Sequence, residues 1–134
     1  MTLGVNPLTV DEVLVIHGHL LSLDGGLPGM KSLAALESAL AQPGLEVFGQ
    51  ARYVTPIEQA GAYLFYLSKA HAFNDGNKRT AVACMLLWLE LHGEVVQSGE
   101  DRLLSLVLSV AAGEPGFETP DAPIAFLLEW CVQD

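Results

Sequence analysis

Only two cysteines and only six lysines and arginines occur among the 134 residues of this chain. Cys84 and Cys131 each lie inside an apolar run. They are too few to staple a small secreted domain, and neither has a second ligand at zinc spacing, so both are expected as buried free thiols. No apolar run approaches the length that spans a membrane. No basic-then-apolar leader opens the sequence, so a cytoplasmic protein is expected. Sixteen acidic residues against six basic ones give a formal net charge of -10. Such a surface repels nucleic acid and anionic membrane alike, which disfavours both as partners. Scarcity makes any cluster of positive charge conspicuous: Lys69, Lys78 and Arg79, half of all the cations, fall within eleven positions.

What is present is helix. At 51% hydrophobic the chain can bury one core, and its length suits a single domain over residues 1–134. Thr9-Val10-Asp11-Glu12 has the form of a capping box, and Val13, Leu14, Ile16, Leu20 and Leu21 follow at helical spacing until Gly25-Gly26. Gly25-Gly26-Leu27-Pro28-Gly29 reads as a tight loop. Ser32 caps a second helix reaching about Gln42. From 44 to 54, Leu45, Val47, Ala51 and Tyr53 alternate with other residues around Gly49, which suits a short hairpin, a flap or an irregular loop. Thr55-Pro56-Ile57-Glu58 starts a third helix that runs toward His71. Asn74-Asp75-Gly76 breaks it. An apolar helix from about Asn77 to His92 should be central, with two more over about 100–112 and Pro123 to Val132. The last presents Ile124, Phe126, Leu127, Leu128 and Trp130 to the core. The expected fold is all-α, a bundle of about six helices.

The chemistry gathers in Lys69-Ala70-His71-Ala72-Phe73-Asn74-Asp75-Gly76-Asn77-Lys78-Arg79-Thr80. The first amides of the helix after Gly76 lack intrahelical acceptors, and the helix dipole adds partial positive charge there. Gly76 leaves room for close approach, and Lys78 and Arg79 add two full charges, so phosphate is the expected guest. Imidazole is the side chain suited to general-base work near neutral pH, which makes His71 the candidate base. Asp75 offers a hard oxygen for Mg²⁺, an ion commonly held by one or two carboxylates plus substrate phosphates. Phe73 is an apolar anchor for the loop. Taken singly, each of these residues has a bland explanation as cap, turn, solvated cation or core. Together in one short loop of an acidic chain they form the working parts of phosphoryl or nucleotidyl transfer. A metal-binding helix pair using His71, Asp75 and His92 is disfavoured, since His92 lies roughly 22 Å along the following helix. His17 and His19 are expected on a helix surface, and Trp88 and Trp130 in the core.

The run His-x-Phe-x-Asp-Gly-Asn-Lys-Arg-Thr-Ala resembles the signature of the Fic/Doc superfamily, and in particular its death-on-curing branch. The Gly25–Gly29 loop after a helix bearing His17, the chain length and the all-helical layout are similar to Doc-like proteins as well. The resemblance implies ATP as co-substrate and Mg²⁺ as cofactor. His71 then accepts the proton of a Ser, Thr or Tyr hydroxyl on a target protein, and Asp75 helps hold Mg²⁺ on the phosphates. Gly76 and Asn77 form the anion cradle with the helix-start amides, Lys78 and Arg79 bind phosphate oxygens, and Lys69 contributes from the preceding helix. It further implies a toxin inhibited by an antitoxin lying across the site, with elongation factor Tu as target, and it makes residues 44–54 the flap that aligns the target.

Two departures favour one chemistry. AMP-transferring Fic proteins carry glycine where this chain has Lys78, and a second arginine where it has Val82. The same lysine in Doc-like members accompanies transfer of the γ-phosphoryl group. Gly76, however, fits the AMP-transferring pattern too, so AMP transfer stays as an alternative, as does a non-catalytic phosphate-binding module. The self-inhibitory pattern Ser/Thr-x-x-x-Glu-Gly/Asn is not found, which points inhibition to a partner.

Overall fold

Reciprocal capping starts two of the helices in the computed structural model, which describes residues 6–133. The first, α1 (Val10–Asp24), opens on Thr9, whose side chain accepts from the Glu12 amide while Glu12 reaches back to Thr9. Gly25 ends it. Ser32 caps α2 (Leu33–Ala41). After a two-residue-per-strand hairpin, β1 (Glu46–Val47) with β2 (Gln50–Ala51), Thr55 and Glu58 repeat the capping box at the head of α3 (Pro56–Ala70). Then follow α4 (Asn77–Leu91), β3 (Glu94–Val96), α5 (Glu100–Ala112), α6 (Asp121–Trp130) and β4 (Cys131–Gln133). Six helices and two small antiparallel ladders make an all-α architecture, and no helix among the described residues is long and apolar enough to cross a membrane.

All six helices contribute to one hydrophobic cluster, which includes Val13, Leu36, Leu64, Met85, Val107 and Leu127. The helices α3 and α4 lie at its centre, and Trp88 on α4 tilts against Tyr63 on α3 at 5.1 Å between ring centroids. Leu45 and Tyr53 flank the hairpin, but its own Val47 and Ala51 are exposed, so the alternation did not mark a buried face. Both hairpin-tip residues, Phe48 and Gly49, have positive φ. That is the backbone a two-residue hairpin turn needs, at a cost for Phe48 of about 1 kcal/mol.

The C-terminus corrects two expectations. The last helix stops at Trp130 rather than Val132, because Cys131–Gln133 pairs in extended form with Glu94–Val96, with Val95 opposite Val132. This pairing joins residues some 37 positions apart and leaves no local periodicity to read. On α6, Pro123, Leu127 and Trp130 are buried whereas Leu128 faces solvent. Cys84 is fully buried, and burial pushes its thiol up to about 12. Cys131 is only half-buried, against expectation, because it lies on the short edge ladder.

At Gly61, α6 packs hard against α3. A Cβ there would meet the Ile124 side chain at 2.5 Å and its backbone at 3.1 Å. Gly61→Ala should therefore destabilise despite alanine's better helix propensity. Overpacking of about 2 kcal/mol outweighs a propensity gain of about 1 kcal/mol. The measurement is a lower urea midpoint with an unchanged slope.

Candidate active site

Between α3 and α4 the chain makes a short turn, His71–Gly76, held by hydrogen bonds from three sides. Asn77, the first residue of α4, folds its side chain back onto Phe73. Its Oδ1 accepts from the Phe73 amide at 3.0 Å and its Nδ2 donates to the Phe73 carbonyl at 2.9 Å. Phe73 is buried and bridges Met30, while the Ala72 carbonyl accepts from the amides of Lys31 and Ser32. The Asn74 amide donates to the Gly29 carbonyl at 3.1 Å, and its side-chain Nδ2 to the Pro28 carbonyl at 3.0 Å. Gly29, at φ 103°, is required here, since a Cβ would stand 2.9 Å from Asn74 Nδ2. Asp75 completes the zipper by accepting from the Leu27 amide at 2.8 Å through Oδ2. The Gly25–Gly29 segment is thus not a tight turn closing on itself. It is an extended strap laid against the 71–76 turn.

The strap and the turn enclose a polar cleft of about 560 Å³, lined by Asp24, Gly25, Gly26, Lys31, Ser68, His71, Asn74, Asp75, Gly76, Asn77, Lys78 and Arg79. Seven residues picked out from the sequence are placed as follows. His71, Asp75, Gly76, Asn77, Lys78 and Arg79 line the cleft together, and Phe73 lies beneath it in the core. Gly76 begins α4 with φ 80° and offers no side-chain cap. The first amides of α4 are therefore left without the acceptor that Thr9, Ser32 and Thr55 give to α1, α2 and α3, and remain available to an anion. His71 closes α3 in the left-handed region, φ 48° and ψ 44°, with its side chain exposed.

Lys69 does not join them. It borders a separate depression with Ala35, Ser38 and Tyr66, and its Nζ lies 3.3 Å from where a Cβ on Gly113 would stand. The regular step of α3 carries Lys69 toward that depression, while His71, just past the helix end in the left-handed region, lines the cleft. Asn77 is in the cleft, but its side-chain amide is committed to Phe73; only its backbone N–H can serve a cradle.

Electrostatically the cleft combines scarce cations with a few acids. Arg79 Nη1 lies 3.5 Å from Asp24 Oδ2 and 3.9 Å from Glu100 Oε1, with side chains 43% to 77% exposed. Such pairs are worth at most about 1 kcal/mol and are screened by salt. They hold the guanidinium over the cleft without locking it, and a phosphate can displace them. Lys31 brings a third cation. Nothing in its spacing marked it; it arrives because the strap pairs backbone-to-backbone with Ala72. The only signal was adjacency to the Gly25–Gly29 loop.

His17 is the other residue the sequence misassigned. It is buried, not on the surface of α1. Its ring stacks on Phe73 at 3.8 Å between centroids and 10° between planes, and its Nε2–H donates to the Asp75 carbonyl at 2.7 Å. His19, two residues and about half a turn further along α1, does face solvent. As for metal, no group of three His, Cys, Asp or Glu comes together among the described residues. Two carboxylates line the cleft: Asp24, paired with Arg79, and Asp75, whose Oδ2 is anchored by the Leu27 amide. That set fits a Mg²⁺ ion carried on nucleotide phosphates, not a protein-built cage.

Similarity to known proteins converges on the same segment. The model of the Fic/DOC family matches residues 7–89, which span from the start of α1 through nearly all of α4. Over 108 residues the chain is 32% identical to "Protein kinase doc" of Escherichia phage P1, covering 80% of this chain and 83% of that protein. Over 103 residues it is 31% identical to "Toxin Doc" of Mycolicibacterium smegmatis, covering 75% of this chain and 79% of the relative. On a matched span that carries the strap, the turn and the cationic helix start, the chain belongs to the Fic/Doc family.

Proposed function

We propose that this protein is a Doc-type toxin that transfers the γ-phosphoryl group of ATP to a hydroxyl side chain of a target protein. One observation carries the reading. An exposed imidazole, one anchored carboxylate, three cations and the uncapped amides of α4 share a single polar cleft in an otherwise acidic chain. The names of its relatives, a protein kinase and a toxin, agree with it.

In the proposed reaction the target hydroxyl oxygen bonds to the γ-phosphorus as the bond from that phosphorus to the β–γ bridging oxygen breaks. The hydroxyl proton passes to His71, and ADP leaves with the electron pair. Lys78, Arg79 and the α4 amides hold phosphate oxygens. Asp75 is the residue that would hold Mg²⁺, which when bound offsets phosphate charge.

Val82 favours phosphoryl over AMP transfer. It stands where AMP-transferring members have a second arginine, and it is buried in an apolar groove with Leu20, Leu86, Leu103 and Leu104. One phosphate clamp is therefore missing, while Lys78 fills space that glycine leaves open. The same groove shares Arg79 with the cleft. It suits the apolar face of an antitoxin segment that continues across the site. The hairpin, with Phe48 fully exposed at its tip, suits the flap that positions a target. Elongation factor Tu is the target the likeness to Doc suggests, and translation the process blocked.

The test uses purified protein, Mg²⁺ and a bacterial lysate with ATP labelled at either the α or the γ phosphate. Label should transfer from the γ position alone and vanish in His71→Ala. Transfer from the α position would replace the kinase reading with AMP transfer. A function that survives His71→Ala but not substitution of Lys78 and Arg79 would favour a phosphate-binding module. Lys31→Ala should weaken ATP binding about three- to tenfold, an effect that shrinks as salt is raised, measured by isothermal titration.

A further inference from the structure

We infer that His17 is a positioning residue of the site: it fixes the peptide plane that turns the Gly76 amide toward the bound phosphate. This rests on the phosphate-handling cleft proposed above, and deepens it. Three contacts converge on one imidazole. Its Nε2 meets the Asp75 carbonyl at 2.7 Å; because a carbonyl only accepts, the ring must carry its proton on that nitrogen. Its face stacks on Phe73 at 3.8 Å. Its Cδ2 and Nε2 edge stands 3.4 Å from where a Cβ on Gly76 would lie. The same side chain thus touches residues 73, 75 and 76 from below, while nothing else on α1 hydrogen-bonds to the turn.

The consequence follows from peptide geometry. No peptide bond among the described residues is cis, so the Asp75 carbonyl and the Gly76 N–H lie in one plane and point opposite ways. The carbonyl points at His17, into the packing beneath the turn. The Gly76 N–H must then point away from α1, toward the cleft whose floor Gly76 lines. Glycine at φ 80° tolerates rotation of this plane more readily than any other residue, so the orientation needs an external hold. The hydrogen bond from His17 supplies it, and the stack on Phe73 keeps the ring from turning away.

The two contributions separate by substitution. His17→Phe keeps an aromatic ring against Phe73 and loses the donor. His17→Gln loses the ring and keeps an N–H at a similar reach. The readout is the amide ¹H–¹⁵N signal of Gly76 as inorganic phosphate, then ATP with Mg²⁺, is added, together with the ATP dissociation constant. In the unmodified protein the Gly76 signal should shift on both additions. In His17→Phe the shift should be lost and ATP binding weakened about five- to tenfold, the size of one hydrogen bond, while signals from α5 and α6 stay native. His17→Gln should restore most of the shift. A Gly76 response and an ATP affinity unchanged in His17→Phe would overturn the inference. So would a response lost equally in both variants, which would trace the effect to ring packing alone. Failure of the kinase reading looks different: the unmodified protein would transfer no label, yet Gly76 would still answer phosphate in a His17-dependent way.

Discussion

Replacing His71 by glycine should slow the proposed phosphoryl transfer at least about a hundredfold and at the same time make the protein more stable. His71 ends α3 at φ 48°, a conformation that costs a side-chain-bearing residue about 1 kcal/mol and costs glycine almost nothing. Left-handed positions at helix ends are where glycine is ordinarily found. The imidazole is exposed and makes no hydrogen bond within the described structure that its loss would forfeit. His71→Gly should thus raise the unfolding free energy by up to about 1 kcal/mol, read as a higher urea midpoint. Loss of a general base costs about 10²- to 10⁴-fold in rate, while ATP affinity should stay within about twofold, since the proposed base would meet the target hydroxyl and not the nucleotide. A strained residue kept at a site that glycine would relax is the pattern expected of function bought with stability. If His71→Gly gained stability and kept its rate, the base would have to be sought elsewhere in the cleft.

How much of this could be read from the sequence follows from how local each feature is. Helix starts at Thr9, Ser32 and Thr55 were legible because capping depends on residues within three positions. The cleft residues from His71 to Arg79 were legible for the same reason: one short turn and the first residues of α4 hold them. What escaped was placed by partners distant in sequence. Lys31 enters the cleft through backbone pairing with Ala72, and β4 forms only because Glu94–Val96 lies beside it. His17 stands 58 positions from Asp75, and one histidine on an amphipathic helix gives no sign of which carbonyl it will meet. Lys69 failed in the opposite sense. It is close in sequence but carried by a regular helix, whose 100° step takes it off the site. Sequence proximity therefore predicted membership from the turn into the first residues of α4 and misled at Lys69 on α3.

Asn77 gives the sharpest case of a correct residue with a different part to play, and the second large effect. Its likeness to family members implied a place in the anion cradle, yet both ends of its amide are spent on Phe73, at 3.0 Å and 2.9 Å. The side chain is a brace joining the start of α4 to the middle of the turn; its backbone N–H alone is left for phosphate. Asn77→Ala removes two hydrogen bonds, about 2 kcal/mol of stability, and frees the turn that carries Asp75. A shift of about 1 Å in such a turn is enough for about a 10²-fold loss in transfer rate. ATP affinity should fall far less, because Lys31, Lys78, Arg79 and the amides of α4 remain. Asn77→Asp should be worse than alanine. It keeps the acceptor for the Phe73 amide but puts a second oxygen against the Phe73 carbonyl, and adds negative charge where phosphate must bind. Single-turnover rates and ATP titrations of the two variants separate the cases. Were the side chain a phosphate ligand, Asn77→Ala would lose ATP affinity about tenfold with its maximal rate intact; as a brace, it should lose rate and stability together, because what it holds in place is the geometry between helix start and base.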